Sequence, residues 1–233
     1  MTTIKFLFTI NLLMLSMPQE TESNWTKTVD REVVGWTVRV DQQLVDDKEK
    51  YTAAIEALEN HLQRIKYIVP KKRLEELQKL PIWLDLKYDS LKTMQYHPSE
   101  GWLKQNGHNP KLAKHVHIPI AAALTSRQQW AKHPYVILHE LAHAYHDQVL
   151  GFEHPEIKRV FESAKSKGIY EKVLAHNGAT VKHYALTNHK EYFAESTEAY
   201  FGVNDFYPFV RAELRKHDPE MFSLLQKIWG KID

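Results

Sequence analysis

VILHELAHAYHDQ, at residues 136–148, contains two histidines, His139 and His143, with Glu140 between them. On an α-helix, residues four positions apart lie on one face, so both imidazoles can bind the same ion. Glu140 is rotated by about 100° from His139, so its carboxylate can reach a water beside that ion without binding the ion itself. Apolar neighbours indicate a buried helix, and two buried imidazoles need polar partners. The stretch therefore predicts a helix that carries two ligands of a metal site.

The composition is typical of a globular protein and restricts the kinds of metal ligand. The chain has 233 residues, of which 43% are hydrophobic and 26% are charged, enough for one large domain with a core. The net charge of +2 gives no reason to expect nucleic acid or a membrane surface as a partner. The absence of cysteine excludes disulfides, cysteine-based zinc sites and a cysteine nucleophile. A metal would therefore be bound by histidine, aspartate or glutamate.

The first residues, 1–22, are interpreted as a leader segment. Lys5 precedes an apolar run at residues 6–17, in the order found in a secretory signal, although Thr9 and Asn11 interrupt the run. No small-residue cleavage site follows, and the run is too short to span a membrane. We expect a secreted protein if this segment is a signal and a cytoplasmic protein otherwise, with no membrane span in either case.

Strand patterns dominate the first half of the chain and helix patterns the second. Alternating and β-branched residues predict strands at residues 33–40, 81–88 and 115–120. Apolar residues at helical spacing predict helices at residues 44–69, 71–80, 153–168, 189–201, 208–216 and 219–231. The helix that carries HELAH is expected to begin near Ser126 or Pro134 and to end at Gly151. A long loop is predicted at residues 96–110. This order predicts an α+β fold in one domain at 23–233, with a small β-containing N-terminal lobe at 23–125 and a helical C-terminal lobe at 126–233.

A catalytic zinc site needs a third protein ligand, and the spacing of residues alone leaves it open. His115 and His117 share one face of a predicted strand, although they form a weak motif. A carboxylate from a second helix is the usual completion of such a site. Glu191 and Glu195 share a face of the later helix KEYFAESTEAYFG, and Glu198 either joins that face or is solvated. The third ligand is therefore expected among these histidines and glutamates.

A second segment, YALTNHKEYFAE at residues 184–195, resembles a pattern of the gluzincin zinc metallopeptidases, in particular the catalytic domain of anthrax lethal factor and its relatives. In that family a Tyr-x-x-Thr-Asn-x-x-Glu-aromatic-Phe-Ala-Glu segment follows the zinc helix. The similarity covers about residues 134–205. Elsewhere, the segments WTVRV, PIWL and NDFYPFVRAELRKHDPE resemble a broad group of uncharacterised candidate zinc peptidases. The chain therefore resembles zinc peptidases as a class, without an indication of the substrate.

The resemblance implies a zincin-like metallopeptidase that holds one Zn²⁺ per chain. In this sequence His139, His143 and Glu191 would be the zinc ligands. Glu140 would act as general base on the water. Tyr184 would donate a hydrogen bond to the oxyanion that develops in the transition state.

Two outer carboxylates and one strand complete the predicted site. By the same resemblance, Glu195 would orient a ligand histidine. Asp147 lies four residues after His143 and would either hold the tautomer of that imidazole or be a solvated acid at the end of the helix. His117 and Ile118 are expected to lie on an edge strand, because the proline after Ile118 lacks an N–H. This strand would be either an ordinary edge or, as the resemblance implies, the strand against which an extended peptide pairs.

The predicted partner is a peptide or protein substrate, and nothing in the sequence indicates an oligomeric state. One alternative is a catalytically inactive binding protein of the same fold that zinc stabilises. Glu140 and Tyr184 argue against it, because neither is needed to hold a metal. A purely structural protein with surface histidines and no metal would require both motifs to occur by coincidence.

Overall fold

The computed structural model describes residues 25–232, and the predicted leader at residues 1–22 lies outside the described residues. The described part of the chain contains seven strands: β1 (Thr28–Val33), β2 (Trp36–Asp41), β3 (Ile82–Leu84), β4 (Gln95–Tyr96), β5 (Val116–Ile118), β6 (Val173–Leu174) and β7 (Thr180–Val181). It also contains ten α-helices: α1 (Gln42–Asp46), α2 (Lys48–Ile68), α3 (Lys71–Leu77), α4 (Glu100–Gln105), α5 (Arg127–Lys132), α6 (Val136–Tyr145), α7 (Pro155–Ser166), α8 (His189–Phe201), α9 (Arg211–His217) and α10 (Pro219–Trp229).

Five strands form a mixed sheet in the order β1-β2-β3-β5-β4. The outer pairs β1/β2 and β4/β5 are antiparallel, whereas β2/β3 and β3/β5 are parallel. The predicted strand at residues 33–40 spans the hairpin between β1 and β2. The chain turns there at Val34 and Gly35, and Gly35 has a φ of 92°, which glycine adopts at little steric cost.

Helix α2 crosses over between the parallel strands β2 and β3, as parallel pairing requires. Its N-terminus is capped by Asp47, whose side chain accepts a hydrogen bond from the backbone N–H of Lys50. Pro70 follows the end of the helix. The buried face of α2 repeats every three or four residues, and its apolar members are Ala54, Leu58, Leu62 and Ile65. This face joins the core beside the sheet.

One continuous hydrophobic core includes residues of the sheet and of helices α2, α6, α8 and α10. Helix α6 contacts both α8 and the strands β4 and β5. The observed fold is α+β, with the mixed sheet in the N-terminal half and a mainly helical C-terminal half, as the sequence predicts. The division into lobes near residue 125 stays a prediction. No helix in residues 25–232 has both the length and the apolar character needed to cross a membrane.

The predicted loop at residues 96–110 includes Tyr96 of the short strand β4 and all of helix α4. Strand β4 pairs with β5 on one side only and forms the edge of the sheet. The prediction that His117 and Ile118 lie on an edge strand is therefore wrong. Both residues belong to β5, which lies between β3 and β4, and both are fully buried. The proline that suggested an edge follows the last residue of β5, where no ladder N–H is needed.

Candidate metal centre

Helix α6 places the two histidines of the HELAH stretch on one buried face. All ten of its residues are buried, and the rings of His139 and His143 meet edge to face, 4.8 Å apart between centroids. After α6 the chain forms one π-helical turn, His146–Leu150. This turn ends at Gly151, which has a φ of 80°. Such turns are frequent at functional sites. The predicted helix end at Gly151 is therefore observed.

Glu191 approaches α6 from the first turn of helix α8. The side chain of Asn188 caps this helix by accepting hydrogen bonds from the backbone N–H groups of Lys190 (2.9 Å) and Glu191 (3.1 Å). Asparagine is among the preferred N-cap residues. The asparagine of the YALTNHKEYFAE segment thus caps the start of α8, three residues before Glu191.

The ligand atoms of these three side chains form a small triangle. Glu191 Oε2 lies 3.3 Å from His139 Nε2 and 3.1 Å from His143 Nε2, and the two Nε2 atoms are 3.1 Å apart. A tetrahedral zinc ion with bonds of about 2.0–2.2 Å separates its ligand atoms by about 3.3–3.5 Å. The triangle therefore has nearly the dimensions of one face of a zinc tetrahedron, with the fourth position open.

Electrostatic interactions join the same three side chains. Burial alone would raise the pKa of Glu191, but its hydrogen bonds with His139 and His143 outweigh this effect and lower the pKa. Burial likewise opposes a charge on His139, but hydrogen bonds with Glu191 and Glu198 raise its pKa. The group therefore holds an ionised carboxylate that attracts a cation. A metal ion can accept a lone pair from all three ligand atoms at once, and these residues fit it.

The triangle is open to a cavity of about 640 Å³. His139, His143 and Glu191 line this cavity together with Glu140 and Tyr184. Further lining residues come from the loop before β4, from β4 itself, from the end of α5, from the start of α6, from α8, and from the segments around residues 152 and 205. A ligand can thus reach the open position from solvent.

The carboxylate of Glu140 lies outside the group of converging ligand atoms. Its Oε2 accepts a hydrogen bond from the backbone N–H of Tyr96 in β4 (2.8 Å), and no carboxylate oxygen of Glu140 belongs to the converging group of ligand atoms. Burial raises the pKa of this carboxyl, although the charges of His139 and His143 oppose the shift. A carboxylate with a raised pKa is a better proton acceptor near neutral pH than an exposed one.

Tyr184 lines the same cavity and begins the 3₁₀ turn Tyr184–Thr187 that leads to α8. Its side chain is half exposed, and burial of the remainder raises its pKa. The phenol therefore keeps its proton at neutral pH and can donate a hydrogen bond into the cavity.

The carboxylate that orients His139 is Glu198, whereas the resemblance implied Glu195. The Nδ1–H of His139 donates to Glu198 Oε1 at 2.7 Å, while the nearest oxygen of Glu195 is 3.8 Å from Nδ1. Glu198 is fully buried and also contacts His133 Nε2 through both oxygens, at 2.9 and 2.7 Å. Glu195 and Glu198 are both buried, so the packing of α8 on α6, and not burial, brings Glu198 into contact with His139.

His133, His139 and Glu198 form a second group that could bind a metal ion. Its nitrogen–oxygen contacts of 2.7–2.9 Å are those of charge-assisted hydrogen bonds and are shorter than the separations around a zinc ion. We therefore interpret it as a hydrogen-bonded support for the first group. No sequence motif marks His133.

Asp147 connects β4 to the end of α6 instead of orienting His143. Its Oδ2 accepts hydrogen bonds from the Tyr96 hydroxyl (2.5 Å) and from Lys114 Nζ (2.5 Å). No hydrogen bond between Asp147 and His143 is seen among the described residues. Tyr96 was missed at the sequence level because it falls in the predicted loop. It contacts Glu140 through its backbone and Asp147 through its side chain, so it holds the edge strand against α6.

His117, whose neighbour His115 was also a candidate ligand, belongs to a separate buried chain of side chains. His117 Nδ1 lies 3.1 Å from His97 Nε2, and His117 Nε2 lies 2.8 Å from Asp85 Oδ2. Asp85 also accepts a hydrogen bond from the indole of Trp83 (2.9 Å). None of these side chains lines the cavity, so the structure does not bring His115 or His117 to the metal centre.

No protein-family model, no curated protein and no solved structure matches the chain. The likeness to an HExxH…E zinc site thus rests on the residues of this centre. In residues 25–232 these residues form a buried His/His/Glu group that could bind a metal ion.

Proposed function

We propose that the protein is a zinc-dependent metallopeptidase with a zincin-like fold. The observation that carries the proposal is the convergence of His139, His143 and Glu191 at an open cavity, beside the buried carboxylate of Glu140. Two imidazoles, one carboxylate and an open position form the ligand set of hydrolytic zinc sites. Bound zinc would supply Lewis acidity, which polarises a carbonyl and lowers the pKa of water.

The edge of the sheet beside the cavity supports a peptide as substrate. The backbone N–H and C=O of His97 both form hydrogen bonds with the segment that leads into β5. Because the hydrogen-bonding direction alternates along a strand, the backbone groups of Tyr96 and Met94 are directed away from the sheet. Glu140 takes the Tyr96 N–H, whereas the Tyr96 carbonyl and the Met94 backbone groups have no hydrogen bond among the described residues. An extended peptide can add as a strand at this free edge and pass along the cavity.

The side chains of the centre then have distinct roles in peptide hydrolysis. Glu140 accepts the proton of the attacking water and transfers it to the leaving amine. The Tyr184 hydroxyl donates a hydrogen bond to the oxygen of the scissile carbonyl as negative charge develops on it. Glu198 accepts the Nδ1–H of His139 and so leaves the Nε2 lone pair directed at the metal position.

Metal content and hydrolysis test this proposal in one series of variants. Elemental analysis should find one Zn²⁺ per chain in the wild type and little in Glu191→Ala, while the exposed-site control Glu75→Ala keeps its metal. Glu140→Gln should also keep its metal but lose at least about 100-fold of its activity on a peptide library, because the general base is gone.

Three results would count against parts of the proposal. Zinc retained by Glu191→Ala would remove that residue from the ligand set. Equal hydrolysis by wild type and Glu140→Gln would remove the general base. A zinc-loaded wild type that cleaves no peptide would favour the alternative, a zinc-stabilised binding protein without catalysis.

A further inference from the structure

Three lysines line the cavity that leads to the metal centre. Lys92 precedes the edge strand β4, Lys132 is the last residue of α5, and Lys190 lies in the first turn of α8. Among the described residues none of the three forms an ion pair. The ammonium group of Lys190 lies 4.1 Å from the centre of the Phe152 ring, a cation–π contact that holds it at the cavity wall. These positive charges are therefore available to a bound ligand.

The acidic residues of the same cavity are buried or engaged. Glu191 contacts the two ligand histidines, and Glu140 holds the Tyr96 backbone. Glu195 and Asp205 are only 2% and 4% exposed. The negative side chains thus lie at and behind the metal position, where a divalent cation would offset them. A ligand that enters the cavity meets the lysines on its walls.

The chain has a net charge of only +2, and many lysines elsewhere on its surface are paired with carboxylates. Both signs of charge line the cavity, but its carboxylates are buried or engaged, whereas its three lysines form no ion pair among the described residues. Available charges of one sign concentrate ligands of the opposite sign. Because the three lysines come from three separate elements, they can contact different residues of one extended peptide.

We infer that this cavity selects acidic peptide segments, with Asp or Glu side chains that contact Lys92, Lys132 and Lys190 near the metal centre. The inference rests on the proposed peptidase function for the fate of the bound peptide. Preferential binding of acidic peptides needs no hydrolysis and can be measured separately.

The test measures binding to the zinc-supplemented full chain carrying Glu140→Gln, so that a bound peptide is not cut. Three fluorescent pools of random decapeptides are compared by anisotropy, each enriched in acidic, neutral or basic residues. The acidic pool should bind most tightly. Its advantage should fall when NaCl rises from about 0.05 to 0.5 M, because the Debye length shrinks from above 10 Å to a few ångströms.

A triple variant then tests the lysines themselves: Lys92→Gln, Lys132→Gln and Lys190→Gln. The matched control removes the same charge at exposed positions outside the cavity: Lys48→Gln, Lys66→Gln and Lys79→Gln. Each exposed contact of this kind changes affinity by about 1.4- to 5-fold, so the test triple should lose on the order of 3- to 100-fold of the acidic preference. The control triple should keep that preference.

The outcomes separate this inference from the proposed peptidase. Equal binding of the three pools, tighter binding of the basic pool, or no binding by any pool would overturn the acidic preference. An equal loss in both triple variants would show that overall charge is responsible and would also overturn it. If the wild type cleaves peptides without charge preference, the proposed peptidase function is supported and the acidic preference is not. If acidic peptides bind preferentially but are not cleaved, the acidic preference is supported and the peptidase function is not.

Discussion

Two groups of buried histidines in this protein satisfy their ring nitrogens in different ways. In the metal centre, the Nε2 atoms of His139 and His143 converge on each other and on one carboxylate oxygen, beside an open cavity. In the second group, His97 and His117 form a chain that ends on the carboxylate of Asp85. That chain alternates donors and acceptors and needs no further ligand.

Burial therefore does not distinguish the candidate metal ligands from the histidines of the second group. His117 is fully buried, whereas His143 is 9% exposed. The distinguishing features are the convergence of lone pairs on one point and the access to that point from solvent.

Strand β4 separates the two groups of histidines. The backbone of Tyr96 contacts Glu140 beside the metal centre, while the next side chain, His97, contacts His117. The Tyr96 contact is made by its backbone N–H, which is directed away from β5, whereas the His97 contact is made by its side chain, directly after β4. The edge strand and the residue after it thereby contact both Glu140 and the histidine chain.

Zinc is expected to stabilise the protein through the metal centre and not through the histidine chain. This is the largest of the expected effects. When free zinc exceeds its dissociation constant about 1,000-fold, the free energy of unfolding should rise by about 4 kcal/mol. Urea unfolding with and without zinc measures this difference. His143→Ala should abolish the increase, while His117→Gln should keep it despite a lower starting stability. A full zinc effect in His143→Ala would remove the distinction between the two groups.

Substitution of Glu198 or Glu195 by glutamine tests which of these carboxylates supports metal binding by His139. Burial opposes ionisation of Glu198, but the charge of His133 and the hydrogen bonds from His133 and His139 lower its pKa to about 2. Glu198→Gln removes this charge and should weaken zinc binding about 10- to 100-fold, measured by competition with a chelator.

Glu195→Gln is the matched control for this exchange. Burial raises the pKa of Glu195, which favours its neutral form, and glutamine resembles that form closely. Zinc affinity should therefore remain near the wild-type value. A larger loss in Glu195→Gln than in Glu198→Gln would restore the assignment that the family resemblance implied.

Acid should act on the histidine chain, with a smaller effect. Burial lowers the pKa of His97 from 6.5 to about 3. Between pH 6.5 and pH 3 the imidazole of His97 binds a proton in the unfolded chain but not in the folded chain. The stability that neutral His97 contributes is therefore fully present above pH 6.5 and is lost as the pH falls. The contribution of His97 between pH 7 and 5 is about 2 kcal/mol.

Unfolding free energies of the zinc-free protein at pH 7 and pH 5 test this prediction. His97→Gln should lose about 2 kcal/mol less than the wild type on acidification. The exposed-histidine control His176→Gln should lose as much as the wild type. An unchanged loss in His97→Gln would show that the histidine chain accepts a proton without cost.

Local patterns in the sequence predicted much of the metal centre. The i, i+4 spacing of HELAH corresponds to α6, and the segment with Asn188 corresponds to the capped start of α8. The structure brings together His139, His143 and Glu191, the three ligands that spacing and resemblance indicated. These features depend on the geometry of a helix, which a short stretch of residues specifies.

The errors concern residues whose roles depend on distant parts of the chain. Strand β4 has two residues, too few for a periodic pattern, and is defined by pairing with β5. Because β4 is the edge strand, His117 and Ile118 of β5 are not at the edge of the sheet. Glu198 replaced Glu195 because the packing of α8 on α6 determines which carboxylate reaches His139.

The sequence by itself determined the longer helices and the residue types available for a metal, because these follow from short-range spacing and composition. Only the tertiary structure decided which side chains meet. It placed the Tyr96 backbone on Glu140, Glu198 behind His139, and three lysines around one cavity. The physical reason is that such contacts join elements far apart in sequence, and their geometry follows from packing of the whole core.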